Sequence, residues 1–262
     1  MSLQAFRQYG MRSYGDIDLL IKKSDLPVLN KNLLSLGFKN KQENLSREDQ
    51  IFIQAFSHQS NTFVFSEKEQ KIHLDINIDV FWGEYTDKRI DIEEFLSDAQ
   101  EADIYGVNVK VLSPLKAIIQ LFLHHYKDMN SVFLLATRKS IKRKMFHEIY
   151  CMLKNNRNDI SIDKLYDVSD RYNIIPYVYY ILFYTGMLFE DKILQDYIST
   201  FKSDAGERLL NCYGLSENER REWKCDFYTR LESDNVYSLI ENDLNDVDLE
   251  KIRINRKVFL GE

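Results

Sequence analysis

The hydrophobic pattern changes character near residue 112 and divides the chain into two parts. Before this point short apolar runs alternate with polar turns, which predicts a mixture of strands and helices. Beyond it apolar residues recur mainly at helical spacing. The divide falls at Ser113-Pro114, a typical helix start, because Ser caps free amides and Pro suits the first helical position. We predict an α+β protein: a small mixed sheet with flanking helices in residues 1–112, followed by an all-helical domain in residues 113–262.

The first part predicts a strand, a helix and a hairpin in that order. The run from Gly15 to Ile21 predicts the strand, and Ser24 is placed to cap a helix that ends at Gly37. Two further strands, at 58–66 and 71–82, are expected to pair as an antiparallel hairpin across a polar turn.

The second of these strands alternates strictly from His73 onward, so its polar residues share one face. These residues are His73, Asp75, Asn77 and Asp79, and the apolar face carries Leu74, Ile76, Ile78 and Val80. A last hairpin around residues 105–108 is expected to end the sheet.

The second part predicts a series of helices. Their expected positions are 113–129, 140–155, 161–173, 176–189, 190–203 and 216–242. The apolar run from Ile174 to Phe189 is shorter than the about 20 residues that a bilayer demands, so we predict a buried helix. In the charged last segment, Trp223 and Phe227 are expected to face inward at i, i+4.

Composition and charge narrow the class of protein. The chain has 262 residues, 44% hydrophobic and 29% charged, as in ordinary globular proteins. Its net charge of −6 disfavours nucleic-acid binding through non-specific phosphate contacts. Three cysteines without CxxC spacing suggest neither a disulfide framework nor a zinc site. No signal peptide opens the chain, and we expect a reducing cytoplasm and no membrane association.

The candidate chemistry lies in carboxylates. Asp16 and Asp18 stand at i and i+2, so on a strand they share one face, about 6.5 Å apart at a rise of about 3.3 Å per residue. Two such carboxylates can hold Mg²⁺ or Mn²⁺, and a third on a neighbouring strand would complete a site for phosphoryl or nucleotidyl transfer. We assign the third position to Asp79, which would also draw the proton from the attacking hydroxyl. Asp75, farther back on the same face, is interpreted as a strand residue facing water and would be at most an outer neighbour of the metal.

Several segments resemble one known family. They are Arg12-x-x-Gly15-Asp16-Ile17-Asp18-Leu19-Leu20-Ile21, Leu36-Gly37-Phe38, Ile78-Asp79-Val80-Phe81-Trp82 and the helix from Leu112-Ser113-Pro114 to Leu123-His124-His125. Their order is similar to that in the uncharacterised bacterial nucleotidyltransferases of the polymerase-β-like superfamily. The resemblance implies a small nucleotidyltransferase sheet, a helical domain, and Asp16, Asp18 and Asp79 as the metal-binding triad. It implies a reaction class and no particular acceptor.

The chain departs from this family's pattern in two places. The glycine-containing helix start that holds the triphosphate is not found ahead of Asp16. Two interpretations stay open: an N-terminally shortened form of a longer protein, or an incomplete triphosphate site. In the third motif, Phe81 stands where the family usually has His.

Other polar residues have competing interpretations. Arg12, together with Gly15, is assigned to phosphate binding, and the alternative for Arg12 is an ion pair with one of the aspartates. For His124-His125 we favour a core or helix-end role, because adjacent helical positions diverge by about 100°. The basic run of residues 138–144 could attract a phosphate-bearing acceptor, although a solvated helix start is the favoured interpretation.

Two functions from different classes follow. The leading hypothesis is a Mg²⁺-dependent nucleotidyltransferase that moves a nucleoside monophosphate from an NTP to a hydroxyl of a small molecule, a protein or an RNA end. The alternative is a catalytically inactive nucleotide-binding or protein-interaction module on the same fold, including a toxin–antitoxin type component.

Overall fold

The computed structural model describes residues 2–7, 15–43, 45–49, 58–67, 70–82, 90–137 and 140–260. It divides into two compact units, one within residues 12–98 and one within residues 1–11 and 99–262. The predicted α+β class, with a small mixed sheet, is confirmed. Compactness does not by itself define an independently folding domain, so the boundary after residue 112 stays a prediction.

The unit within residues 12–98 is built on a four-stranded sheet with the order β1-β4-β3-β2. Its strands are β1 (Ile17–Leu20), β2 (Lys39–Asn40), β3 (Gln59–Glu67) and β4 (Gln70–Asn77). The predicted hairpin is confirmed, because β3 pairs antiparallel with β4. β2 pairs antiparallel with β3, whereas β1 joins β4 in parallel. The sheet is therefore mixed, and its parallel pair joins the first of these strands to the last.

One face of this sheet carries the unit's hydrophobic core, against helix α2 (Leu26–Ser35). The buried members are Leu33, Phe63, Leu74 and Ile76, and Leu19, Ile21, Leu26, Leu29 and Phe38 pack on them. Gly37 ends the helix at φ +88°, as predicted, since a residue without Cβ adopts this conformation freely. The predicted Ser24 cap is wrong: a 3₁₀ turn at Lys23–Asp25 leads into α2, and the Ser24 hydroxyl bonds to Asp25 instead.

β4 is shorter than the alternation predicts and ends at Asn77 rather than Trp82. The amide of Ile78 still donates to the carbonyl of His58, at 2.8 Å. At Asp79 the chain turns, because the carboxylate accepts a hydrogen bond from the amide of Phe81 at 3.0 Å. A side chain that bonds its own backbone two residues on competes with a strand ladder, and here it ends the strand. Helix α3 (Ile92–Leu96) later completes the unit, capped by Asp91.

The other unit contains the hairpin predicted near residues 105–108. β5 (Gln100–Ile104) and β6 (Val107–Val111) pair antiparallel across a turn in which Gly106 has φ +82°. The expectation that this hairpin ends the main sheet is wrong, since β5 and β6 form a two-stranded sheet of their own.

Helices make up most of this unit. They are α1 (Ser2–Phe6), α4 (Pro114–Asn130), α5 (Val132–Thr137), α6 (Arg143–Asn155), α7 (Ile162–Arg171), α8 (Ile175–Leu188), α9 (Lys192–Phe201), α10 (Asp204–Leu210), α11 (Phe227–Glu232) and α12 (Asp246–Asn255). Ser113 caps α4 by accepting from the amide of Lys116, with Pro114 in its first turn, as predicted. α1 is held on α6, where the side-chain amide of Asn155 donates to the carbonyl of Ala5 at 2.7 Å.

The predicted helix over residues 216–242 is wrong. A ladder between β7 (Cys212–Tyr213) and β8 (Arg221–Glu222) occupies its beginning, and α11 starts only at Phe227, where Asp226 caps it. Trp223 is drawn into the ladder because its indole N–H donates to the carbonyl of Cys212 at 3.1 Å. Both Trp223 and Phe227 are buried, as predicted. A 3₁₀ turn at Val236–Leu239, another at Glu241–Asp243 and a π-helical end at Arg256–Leu260 complete the described chain.

α8 confirms the buried helix predicted for the apolar run from Ile174 to Phe189, with Tyr179, Tyr180 and Tyr184 in the core. Nowhere in the described part of the chain is a helix both long enough and apolar enough to cross a membrane.

Candidate functional site

Asp16 and Asp18 stand at the beginning of β1, and both are exposed. Leu19 and Ile21 of the same segment pack into the core on one face of the sheet. Since successive side chains of a strand alternate between faces, Asp16 and Asp18 project from the opposite, solvent-facing side. The sequence pattern thus correctly placed the two carboxylates on the face opposite the core.

The parallel pairing of β1 with β4 places a third carboxylate beside this pair. Asp18 is the register partner of Asp75, and Leu20 is that of Asn77. Neighbouring strands lie about 4.8 Å apart, so Asp18 and Asp75 are adjacent on the same face. The side-chain amide of Asn77 donates to Asp18 Oδ1 at 3.0 Å, which fixes one oxygen of that carboxylate.

Asp75 is held from the other side by β3. The Thr62 hydroxyl donates to Asp75 Oδ1 at 2.7 Å, and the Gln59 side-chain amide donates to the same hydroxyl at 2.9 Å. Burial raises the pKa of Asp75, and the negative charges of Asp18 and Asp16 raise it further, against the opposing effect of the Thr62 hydrogen bond. The three carboxylates therefore form one region of concentrated negative charge, which favours a bound cation.

Asp79 lies apart from the polar face of β4, because the strand ends two residues before it. Its side chain is buried, and Oδ1 accepts from the amide of Phe81. Among the described residues, Asp16, Asp18, Asp75 and Asp79 contain no set of three whose ligand atoms all lie within 4.8 Å of one another. The metal-ligand roles predicted for Asp16, Asp18 and Asp79 therefore stay predictions, and so does a role for Asp75.

Of the two predicted phosphate-binding residues, Gly15 lies in the part of the chain that the structure describes. Arg12 lies outside the described residues. Gly15 is exposed, and a Cβ added to it would meet no atom within 4 Å. Crowding by the described residues therefore does not require glycine at this position, and the space beside Gly15 is open.

The basic run begins outside the described residues, at Arg138 and Lys139. Its remaining cations, Lys142, Arg143 and Lys144, are exposed around the start of α6. This placement agrees with the favoured interpretation, a solvated helix start.

The two neighbouring histidines of α4 differ in exposure. His125 is buried as predicted for a core residue, and His124 is exposed. Yet ligand atoms of His124, His125 and Asp128 all lie within 4.8 Å of one another. The sequence signal that would have found this group is the His-x-x-x-Asp spacing of His124 and Asp128, which puts two ligands on one helical face.

Cysteine chemistry finds no support at Cys151, Cys212 or Cys225. All three are partly buried and free of disulfides, and burial raises the pKa of each thiol. A raised pKa disfavours the reactive thiolate at neutral pH.

Sequence reasoning gave Asp75 at most an outer role and did not single out Thr62 and Asn77, which hydrogen-bond to Asp75 and Asp18. The alternation of β4 had marked Asp75 and Asn77 as polar-face residues, but the partner strand and its register are tertiary facts. In the structure these two residues contact or face the aspartate pair, whereas the more conspicuous Ile-Asp-Val motif at Asp79 lies beyond the strand.

A small mixed sheet presents carboxylates on the face opposite its core, which is compatible with a phosphoryl-transfer protein. The sequence profile of a family described as "Uncharacterised nucleotidyltransferase" matches residues 1–190. The chain belongs to this nucleotidyltransferase family, as the resemblance implied. Searches of curated proteins and of solved structures gave no match.

Proposed function

We propose that this protein is a Mg²⁺-dependent nucleotidyltransferase that moves a nucleoside monophosphate from an NTP to a hydroxyl-bearing acceptor and releases pyrophosphate. Family membership supports transfer of a nucleotidyl group in general. The observation that carries the metal-dependent proposal is the parallel register of β1 and β4, which sets Asp75 directly beside Asp18.

Asp16, Asp18 and Asp75 are the residues that would hold the metal. Carboxylate oxygens are the protein ligands that Mg²⁺ prefers, and the ion keeps open positions for phosphate oxygens. Burial raises the pKa of Asp75, and the neighbouring charges of Asp18 and Asp16 raise it further; a divalent cation would relieve that repulsion. When bound, Mg²⁺ supplies neutralisation of the phosphate charge.

The proposed reaction is a nucleophilic substitution at the α-phosphorus of the NTP. A bond forms between the acceptor oxygen and the α-phosphorus, and the bond from that phosphorus to the α,β-bridging oxygen breaks, so pyrophosphate leaves with the electron pair. The hydroxyl proton passes to a carboxylate of the site. Asp75 is the residue that the geometry favours for the third carboxylate, and Asp79 is the one that the sequence motif favours.

Two polar neighbours support the carboxylates. Asn77 orients Asp18, and Thr62 orients Asp75, each through one hydrogen bond to Oδ1. Because each bond occupies one oxygen, the other oxygen of each carboxylate remains the natural metal ligand. Gly15 leaves room for a phosphate to approach the backbone ahead of Asp16.

The acceptor is a hydroxyl of a small molecule, a protein side chain or an RNA end. The net charge of −6 makes RNA the least favoured of the three. We expect a cytoplasmic location, as the cysteine content suggests.

The test combines nucleotide binding with turnover. Purified chain is incubated with each labelled NTP, Mg²⁺ and a bacterial lysate, and pyrophosphate release and labelled products are followed. Asp18→Asn and Asp75→Asn should each lower the rate by more than the about 10–100-fold typical of losing an outer-shell partner. Asp79→Asn should have the smaller effect.

Other outcomes have defined meanings. A larger loss of rate in Asp79→Asn than in Asp75→Asn, with both variants folded by circular dichroism, would indicate that Asp79 is the third metal ligand. Thermal stabilisation by NTP that survives Asp16→Asn and Asp18→Asn, with no pyrophosphate formed, would refute the transferase and favour the inactive nucleotide-binding module.

A further inference from the structure

A second candidate metal site lies in the helical part of the protein, separate from the aspartates of the sheet. Among the described residues, the group with three potential ligand atoms all within 4.8 Å of one another is His124, His125 and Asp128 of α4. Glu148 of the neighbouring helix α6 lies next to it, with Oε2 at 3.8 Å from His125 Nε2.

Most of this group is inside the protein. The side chains of His125, Asp128 and Glu148 are only 4%, 7% and 4% exposed, whereas that of His124 is 45% exposed. Both helices belong to one compact unit and pack on each other. The cluster is therefore a buried set of ligands with a single solvent-facing member, through which an ion could enter.

The separation of His124 and Asp128 matches that between two ligands of one ion. His124 Nε2 and Asp128 Oδ2 are 3.3 Å apart. A charge-assisted hydrogen bond is usually about 2.7–2.9 Å long, whereas ligands about 2.1 Å from a tetrahedral Zn²⁺ lie about 3.4 Å from each other. The ligand atom of His125 lies within 4.8 Å of both, so one ion could reach all three after a small side-chain adjustment.

The ligand types select the kind of metal. Imidazole nitrogens with carboxylate oxygens suit zinc, while Mg²⁺ and Ca²⁺ prefer oxygen ligands alone. We propose that His124, His125 and Asp128 form a zinc site on α4, beside Glu148 of α6. Three protein ligands leave the fourth tetrahedral position of the ion open to water. The ion would neutralise two buried carboxylates in the interior of the helical unit.

The first experiment measures zinc binding by the full chain without an affinity tag, because polyhistidine itself binds zinc. The protein is stripped with EDTA, dialysed and titrated with ZnCl₂ or MgCl₂. We expect a single zinc ion per chain by metal analysis after gel filtration. Zinc at about 100 times its Kd should raise the Tm by about 5–10 °C, and Mg²⁺ at the same concentration should not.

Two histidine variants locate the ion. His124 and His147 are both exposed helical histidines, but His147 lies next to Cys151, with its Nε2 3.4 Å from the sulfur. His124→Ala should weaken zinc affinity by at least about 10-fold, while His147→Ala should leave it unchanged. Asp128→Asn should weaken it as well. Co²⁺ substitution should give visible d–d bands without a thiolate charge-transfer band.

Two results would overturn the proposal. One is a chain that binds no zinc after stripping, while remaining folded by circular dichroism. The other is zinc affinity that survives His124→Ala and falls in His147→Ala, which would assign the ion to the His147–Cys151 pair. No readout here depends on nucleotide transfer, so the zinc site and the proposed function succeed or fail separately.

Discussion

Asp18 of β1 lies directly opposite Asp75 of β4 in a parallel ladder, and the two carboxylates share the solvent-facing side of the sheet. Two like charges in register destabilise a sheet unless something compensates them. Here Asn77 donates to one carboxylate and Thr62 to the other. The arrangement concentrates negative charge on this face, at a cost to the stability of the fold.

Removing one charge should reveal that cost. Burial and the neighbouring carboxylates raise the pKa of Asp75, so its charged form is disfavoured in the folded state. Asp75→Asn should therefore stabilise the Mg²⁺-free protein at neutral pH, by less than about 1 kcal/mol because the group is partly solvent-screened. Urea denaturation measures this change. A clearly lower free energy of unfolding in Asp75→Asn would contradict the repulsion argument.

Asn77 should act through Asp18 rather than on the substrate directly. Its amide holds Asp18 Oδ1 at 3.0 Å, so Asn77→Ala should free the carboxylate and lower transfer activity by about 10–100-fold. The loss should appear mainly as a higher Mg²⁺ concentration for half-maximal activity. Asn77→Asp, which cannot donate at neutral pH, should not restore it. An unchanged Mg²⁺ dependence of activity in both variants would show that Asn77 does not position Asp18.

Two glycines provide a matched pair for the nucleotide site. Gly15 faces open space, so Gly15→Ala should change stability by no more than about 0.5 kcal/mol and weaken NTP binding. Gly37 has φ +88°, so Gly37→Ala should cost about 1–2 kcal/mol without affecting the intrinsic NTP affinity of the folded protein. Chemical denaturation and NTP titration measure the two effects. Equal NTP affinity in wild type and Gly15→Ala would argue against a phosphate contact there.

Two serines give a matched pair for helix capping. Ser113 accepts from the amide of Lys116 at the start of α4, and Ser113→Ala should cost at least about 1 kcal/mol. Ser24 caps no helix, since its hydroxyl bonds to Asp25, so Ser24→Ala should change stability by no more than about 0.5 kcal/mol. Thermal denaturation distinguishes the two. Similar losses would mean that the Ser24 cap predicted from the sequence does form.

Stability should fall at alkaline pH. Burial raises the pKa of Tyr197 from 10.0 to about 12, and that of Tyr213 likewise to about 12. Between pH 10.0 and about pH 12 these tyrosines have lost their protons in the unfolded chain and retain them in the folded chain. The free energy of unfolding therefore decreases as the pH rises. Below pH 10 this contribution is fully present. Urea denaturation on either side of that value measures the decrease.

Tyr197→Phe supplies the control for the alkaline effect. The variant cannot ionise at this position, so its stability should decline less steeply with pH than that of the wild type. It should also be less stable at neutral pH, because the Tyr197 hydroxyl donates to the carbonyl of Ile160. An identical slope in the two proteins would exclude Tyr197 as a source of the pH dependence.

Local features of the chain were predictable because they depend on neighbouring residues. Ser113-Pro114 begins a helix, Gly37 ends one, and the alternation of β4 puts Leu74 and Ile76 in the core. Where a longer-range contact competes with the local preference, the sequence pattern predicted the wrong element. The charged segment after residue 216 has helical periodicity, yet its first turns are replaced by the β7–β8 ladder.

The sequence by itself determined the two aspartates of β1, their shared face, the α+β class and the family. Only the tertiary structure placed Asp75 beside Asp18, since the parallel register of β1 and β4 is set by core packing between segments more than fifty residues apart. The same holds for His125 and Glu148, which meet only because α4 packs on α6. Periodicity assigns a side chain to a face, whereas the neighbour across that face follows from how the elements pack.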